Sequence, residues 1–181
     1  MTRHIALRLA LLAAPLLLAA CETLSSLDFS PEPEIPPPCP RAVVGEGAGR
    51  LTRFDGSGKD PTNVLFEAEI ADLVGTCIYD DTEISVEMQI QIVAGRGPAA
   101  TEDDAKVNYF VAVTRTDKTI LAREAFDAVI ELQGNQTRNE IIEEIEQTIP
   151  IPEGYSGGNL VIVVGFEMTP EELEFNRQQG R

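Results

Sequence analysis

Apolar and polar residues alternate without a break over residues 83–93, EISVEMQIQIV. Ile84, Val86, Met88, Ile90 and Ile92 fall on one side, and Glu83, Ser85, Glu87, Gln89 and Gln91 on the other. A period of two sustained that long predicts a half-buried β-strand. Residues 64–70 alternate more loosely, with Val64, Phe66, Ala68 and Ile70 on one side and Leu65 blurring the other. Residues 107–114 and 119–126 flank the turn-forming RTDK and predict a hairpin whose second strand runs on toward Leu132. The nearly continuous apolar run NLVIVVGF at 159–166 suits a central strand. Residues 41–44 and 50–54 read as one first strand, broken by GEGAG at 45–49.

Residues 139–151 carry two signals. Glu140, Glu143 and Glu144 with Ile141, Ile145 and Ile149 permit a helix, and TRNE at 137–140 has the form of a capping box. Yet Ile141, Ile145, Ile149 and Ile151 share odd parity, and β-branched side chains favour strands, so strand is preferred over helix. At the end of the chain Thr169 can cap, Pro170 fits the first helical position and Glu172 completes a capping box. That predicts a short C-terminal helix over residues 170–177. About seven strands separated by turn-rich gaps predict a mainly β chain, an antiparallel β-sandwich of immunoglobulin or fibronectin type III character. Tyr155, just before the last strand, has the position of a tyrosine-corner analogue, but an ordinary loop tyrosine is the preferred reading.

The N-terminal segment belongs to none of these elements. Residues 1–20 have Arg3 and Arg8 in front, an apolar stretch over 9–18, then Ala19 and Ala20 before Cys21. This is the layout of a secretory signal peptide, and the stretch is far short of the ~20 residues a membrane-spanning helix needs. LAAC at 18–21 resembles the bacterial lipobox, which implies that Cys21 is lipidated and becomes the first residue of the mature chain. More than one acyl chain gives stable anchoring, each buried methylene adding about 0.8 kcal/mol. By the sorting tendency of such lipoproteins, Glu22 after the cysteine favours the outer membrane, with the protein facing the periplasm. Residues 22–40, ETLSSLDFSPEPEIPPPCP, are polar and proline-rich and predict a tether. The organisation is thus signal peptide 1–20, lipidated Cys21 with its tether over 21–40, and a β-sandwich domain over 41–181.

Removing residues 1–20 leaves 12 basic against 30 acidic residues, a net charge of −18. Nucleic acid and anionic lipid headgroups repel such a chain, which excludes a nucleic-acid partner. The single histidine, His4, leaves with the signal peptide. A mature chain without histidine cannot form a Ser-His-Asp triad, a Cys-His pair or a histidine-ligated zinc site. With Cys21 acylated, Cys39 and Cys77 remain, and in an oxidising compartment they are expected to form a disulfide.

Other motifs carry less. GEGAG lacks the lysine of a phosphate-binding loop and has no helix signal after it, so a bulge or turn is expected. DGSGKD at 55–60 sets Asp55 and Asp60 around glycines as calcium loops do, but lacks the distant bidentate Glu of an EF-hand. Asp55 and Asp60 are therefore weak metal candidates, and Asp80, Asp81, Asp103 and Asp104 add further loop acids. Carboxylate pairs can hydrolyse glycosides only at a set separation in space, and the chain has no Trp to stack on a sugar. Tyr79, Tyr109 and Tyr155 are the remaining candidates to substitute for it, with structural roles the preferred reading. No catalytic residue and no cofactor is expected.

CPRAVV, LTRF, DPTNVLFEAEI with Cys77 following, the GRGP loop, YFVAV and the terminal GFEMTPEELEFNR together resemble a family of uncharacterised alphaproteobacterial lipoproteins. The resemblance spans nearly all of the mature domain. It implies a lipobox and a single β-rich domain and carries over no catalytic residue. Two functions follow as expectations. One is a lipid-anchored, non-enzymatic interaction or structural module of the envelope, whose partners are the membrane and another envelope protein. The alternative is a periplasmic ligand-binding lipoprotein for calcium, a glycan or a peptidoglycan fragment.

The lipobox makes a direct prediction. The mature protein extracted from membranes starts at Cys21 and carries acyl mass, as read by intact mass spectrometry and detergent partitioning. A water-soluble product without added acyl mass overturns the anchor.

Overall fold

The computed structural model describes residues 36–152 and 155–180. The predicted signal peptide, Cys21 and tether residues 22–35 lie outside the described residues. The chain divides into a unit Met1–Pro36 and a unit Pro37–Arg181, and the elements below belong to the second.

The alternating stretch at 83–93 forms the first part of β4 (Glu83–Arg96), and its five inward side chains are all less than 5% exposed. β4 pairs antiparallel with β3 (Val64–Tyr79) on one side and with β7 (Arg138–Pro150) on the other. β2 (Arg50–Phe54) pairs with β3, giving a sheet of order β2-β3-β4-β7. The facing sheet has the order β1-β8-β5-β6, from β1 (Arg41–Val44), β5 (Asp104–Arg115), β6 (Ile120–Glu131) and β8 (Leu160–Phe166). Every pairing is antiparallel except β1 with β8. The inward rows of both sheets merge into one core that includes Ile84, Ile90, Val107, Ile162 and Phe166. Each such side chain contributes about 1.5–3 kcal/mol of burial. The expected β-sandwich is therefore present, with eight strands where about seven were expected.

The first strand is a correction. Residues 41–44 and 50–54 are not one interrupted strand but two strands in opposite sheets. GEGAG carries the chain across: Gly45 N–H donates to Val164 O and Phe166 N–H to Ala48 O, while Ile70 N–H reaches Gly49 O in the other sheet. Gly47 sits at φ 73°, a left-handed conformation that side chains resist.

The second strand is longer than its pattern. β3 continues to Tyr79 because a bulge falls between Ile70 and Asp72. One inserted residue reverses the parity, so the inward row changes from Val64, Phe66, Ala68 and Ile70 to Leu73, Gly75, Cys77 and Tyr79.

The ambiguous segment is strand β7. Ile141, Ile145 and Ile149 lie opposite Ile92, Met88 and Ile84 of β4, so odd parity decides the conformation against the helical signal. The hairpin is also as expected: Arg115 N–H bonds Thr119 O around RTDK. Helix α1 (Pro170–Gln178) has the predicted capping box, with Thr169 Oγ1 accepting from Glu172 N at 3.2 Å and Glu172 Oε2 from Thr169 N at 2.9 Å.

Helix α1 closes the crossover. Asn176, 1% exposed, donates its Nδ2 to Gly47 O at 2.9 Å and Arg50 O at 2.7 Å. Phe175 meets Phe54 edge-on at 5.2 Å, and Arg53 pairs with Glu172 at 2.8 Å. Removing a buried donor leaves its acceptors unsatisfied, which costs about 1–3 kcal/mol. Asn176→Ala is expected to lower the unfolding free energy by about that amount, seen as a shifted urea midpoint. Gln178→Ala, at the exposed end of the same helix, is expected to leave the midpoint unchanged.

Candidate functional site

Where the N-terminal segment joins the domain, three pieces of chain meet. Cys39 and Cys77 form the expected disulfide, with Cα atoms 5.8 Å apart. Linking residues 38 apart in sequence contributes about 4 kcal/mol in the chain-entropy model. Tyr79, on the same inward row as Cys77, donates its hydroxyl to Pro38 O at 2.6 Å and accepts Gly157 N–H at 2.7 Å. A Cβ on Gly157 would lie 2.6 Å from that hydroxyl and 2.7 Å from Pro40 Cδ, so the close approach requires glycine. One phenol thus ties the incoming segment, the end of β3 and the start of β8 together. Tyr155, the sequence candidate for such a role, is 51% exposed. The signal for Tyr79 is its spacing of two from Cys77, which acquires meaning only because β3 continues past residue 70.

The weak metal candidates are separate turns. Asp55 Oδ1 accepts Ser57 N–H at 2.8 Å and Ser57 Oγ–H at 2.7 Å, with Asn63 Nδ2 beyond at 3.4 Å. Asp60 Oδ1 accepts Thr62 N–H at 3.0 Å and Thr62 Oγ1–H at 2.8 Å, capping the 3-10 turn Pro61–Asn63. These bonds hold both carboxyls below the ordinary aspartate value, from the Ser57 hydroxyl first at Asp55 and the Thr62 amide first at Asp60. Of the other loop acids, Asp103 pairs with Arg96 at 3.0 Å and Asp80 accepts Asp81 N–H at 2.6 Å. Among the described residues no three His, Cys, Asp or Glu side chains converge as a metal site requires.

A different acid lies between the sheets. Tyr109 on β5 is wholly buried, stacks on Phe126 at 5.2 Å and donates to Glu143 Oε2 on β7 at 3.1 Å. Burial first, then the Glu143 charge, pushes its phenol far above the ordinary value, so it stays a donor at any physiological pH. Glu143 stands opposite Ile90, and Glu124 of β6 opposite Val111, so the edge strands β6 and β7 each carry a glutamate on the inward row, while the short edge strands β1 and β2 carry none. Inward charge at a sheet edge hinders the addition of another strand.

Outward from the same strands, a trough of about 660 Å³ lies across β3, β4 and β7. Of the residues along it, Val74, Thr76, Glu87, Gln89, Glu144 and Glu146 face outward by register. Sequence parity alone marks each of these positions as outward but does not bring them together. Register does.

Among the described residues no helix is long and apolar enough to cross a membrane. No family model and no curated protein matches the chain. Among solved structures, the variable (V) domain of the Streptococcus agalactiae AgI/II polypeptide BspA is similar over 65% of this chain and 72% of that one. At 11% identity and a TM-score of 0.22 the likeness carries no argument.

The junction makes a coupled prediction. The Cys39→Ser/Cys77→Ser variant is expected to lose about 2–4 kcal/mol, and Tyr79→Phe about 1 kcal/mol. Pro38 stays near Tyr79 because Cys39 is bridged, so Tyr79→Phe should shift the urea midpoint less when the bridge is absent. Strict additivity in that cycle would uncouple the two.

Proposed function

We propose that the chain is a lipid-anchored lipoprotein of the cell envelope, held at Cys21 and facing the periplasm from the outer membrane. Its β-sandwich serves as a non-enzymatic interaction or structural module for another envelope protein. The observation that carries this reading is the junction at residues 38–40. The segment arriving from the lipobox side is fastened to the domain by the Cys39–Cys77 bridge and the Tyr79 hydroxyl. Such a double attachment suits a domain held by its N-terminal end. The resemblance to alphaproteobacterial lipoproteins points the same way.

The chemistry available supports binding over catalysis. The mature chain has no histidine to shuttle protons at neutral pH. Asp55 and Asp60 each direct an oxygen to their own turns, which weakens the calcium form of the ligand-binding alternative.

In a deletion strain, Asp55→Asn and Asp60→Asn are expected to restore the envelope phenotype, while Cys21→Ser or removal of residues 22–36 is not. Restoration by the unanchored chain overturns the proposal. So does failure of a single carboxylate variant that folds and reaches the membrane, which would indicate a ligand site or an enzyme.

A further inference from the structure

The outward face of β3, β4 and β7, in the half that includes the trough, has an unusual composition for a sheet surface. Its acids are Asp72 on β3, Glu83 and Glu87 on β4, and Glu144 and Glu146 on β7, by the registers that place Ile84, Met88 and Ile145 inward. None of the three strands sets a basic residue among them. β3 has neither Lys nor Arg, and the sole basic residues of β4 and β7, Arg96 and Arg138, lie at the far end, Arg138 opposite Gly95. Glu87 stands directly opposite Glu146 on adjacent strands. Facing like charges destabilise a ladder.

Among these acids stand large apolar side chains open to solvent: Val74 at 53%, Ile78 at 69% and Ile142 at 59% exposure. They alternate with the acids across a concave floor three strands wide, which is about 10 Å from outer strand to outer strand. Charge and apolar surface together select the occupant. A second copy of this chain, itself strongly acidic, is repelled, as is an anionic bilayer surface. A segment with Lys or Arg among apolar residues would neutralise the Glu87–Glu146 pair and cover Val74 and Ile142.

We infer that this face docks a basic polypeptide segment bearing apolar side chains. The inference deepens the proposed role as an interaction module and rests on it, by assigning the surface and the chemistry of the partner.

The test uses the full acylated chain in a neutral detergent. The probe is a fluorescently labelled synthetic peptide of alternating lysine and serine with two valines, and a micelle-only signal is subtracted. Fluorescence anisotropy is expected to show binding that weakens about tenfold in Glu87→Gln/Glu144→Gln/Glu146→Gln. The triple variant Glu46→Gln/Glu124→Gln/Glu131→Gln, which removes as many charges elsewhere, should stay within about twofold of wild type. Replacing the peptide's valines by serine, or Val74→Ser/Ile142→Ser in the protein, should also weaken binding. Independently of any variant, peptide-induced NMR shifts should centre on the amides of Val74, Gln89 and Glu144. Equal losses in both triple variants would mean that net charge alone is read, and overturn the inference. Shifts centred on another face overturn it too, as does displacement of the peptide by calcium that binds the wild type and not the trough variant. These outcomes leave the anchored-module proposal standing, since that is decided by removing Cys21 and residues 22–36.

Discussion

The two sheets are held together by the apolar rows they turn to each other, and β4 supplies the longest of these. Ile84, Val86, Met88, Ile90 and Ile92 leave no polar atom facing inward along five successive positions. β3 and β7 settle on either flank of this strand in registers that set Gly75 and Ile145 beside Met88, and Leu73 beside Ile90. A slip of one residue would turn the outward glutamates of β4 into the core, where an unpaired charge is heavily penalised. The same constraint fixes the outward face. Once the inward row is set, Glu87 must face Glu146 and Gln89 must face Glu144.

How far each element could be read from sequence depended on whether its neighbours preserved the simple period. β4, the β5–β6 hairpin and α1 were legible because alternation, turn chemistry and capping held at each, and the hairpin's one register shift, at Val113/Thr114, lies beside its turn. The second half of β3 was not, because the bulge at residues 70–72 changes the inward parity and makes one strand resemble two unrelated fragments. GEGAG was legible as an interruption but not as a change of sheet. The buried Asn176 that satisfies Gly47 and Arg50 is over 120 residues away. In the junction, the cysteine pair was readable from compartment and count, whereas Tyr79 became visible only with the true length of β3. The trough was illegible for another reason. Each of its residues looks like an ordinary solvent position, and only the registers of three strands set them side by side.

The Tyr109–Glu143 bond and the inward Glu124 bear on how this sandwich meets other proteins. Two of the four edge strands, β6 and β7, carry a carboxylate where strand addition would need apolar packing. Strand addition is thereby hindered at these two long edges and contact is favoured on the faces, where outward side chains, and not backbone groups, set the chemistry of recognition. Face recognition also separates partner choice from the ladder that holds the fold. Outward substitutions can change affinity while the inward row of β4 stays intact.

The Cys39–Cys77 bridge also determines where a pull on the N-terminal segment is felt. Without it, tension entering at residue 38 would pass first to β1, a four-residue strand held to β8 by one short parallel ladder. With it, load passes covalently into β3, sixteen residues long and paired along most of its length with β4. Extension is then resisted by many hydrogen bonds strained together, not by a few broken in turn. A domain wired in this way transmits strain to its strongest seam and leaves β1 unloaded.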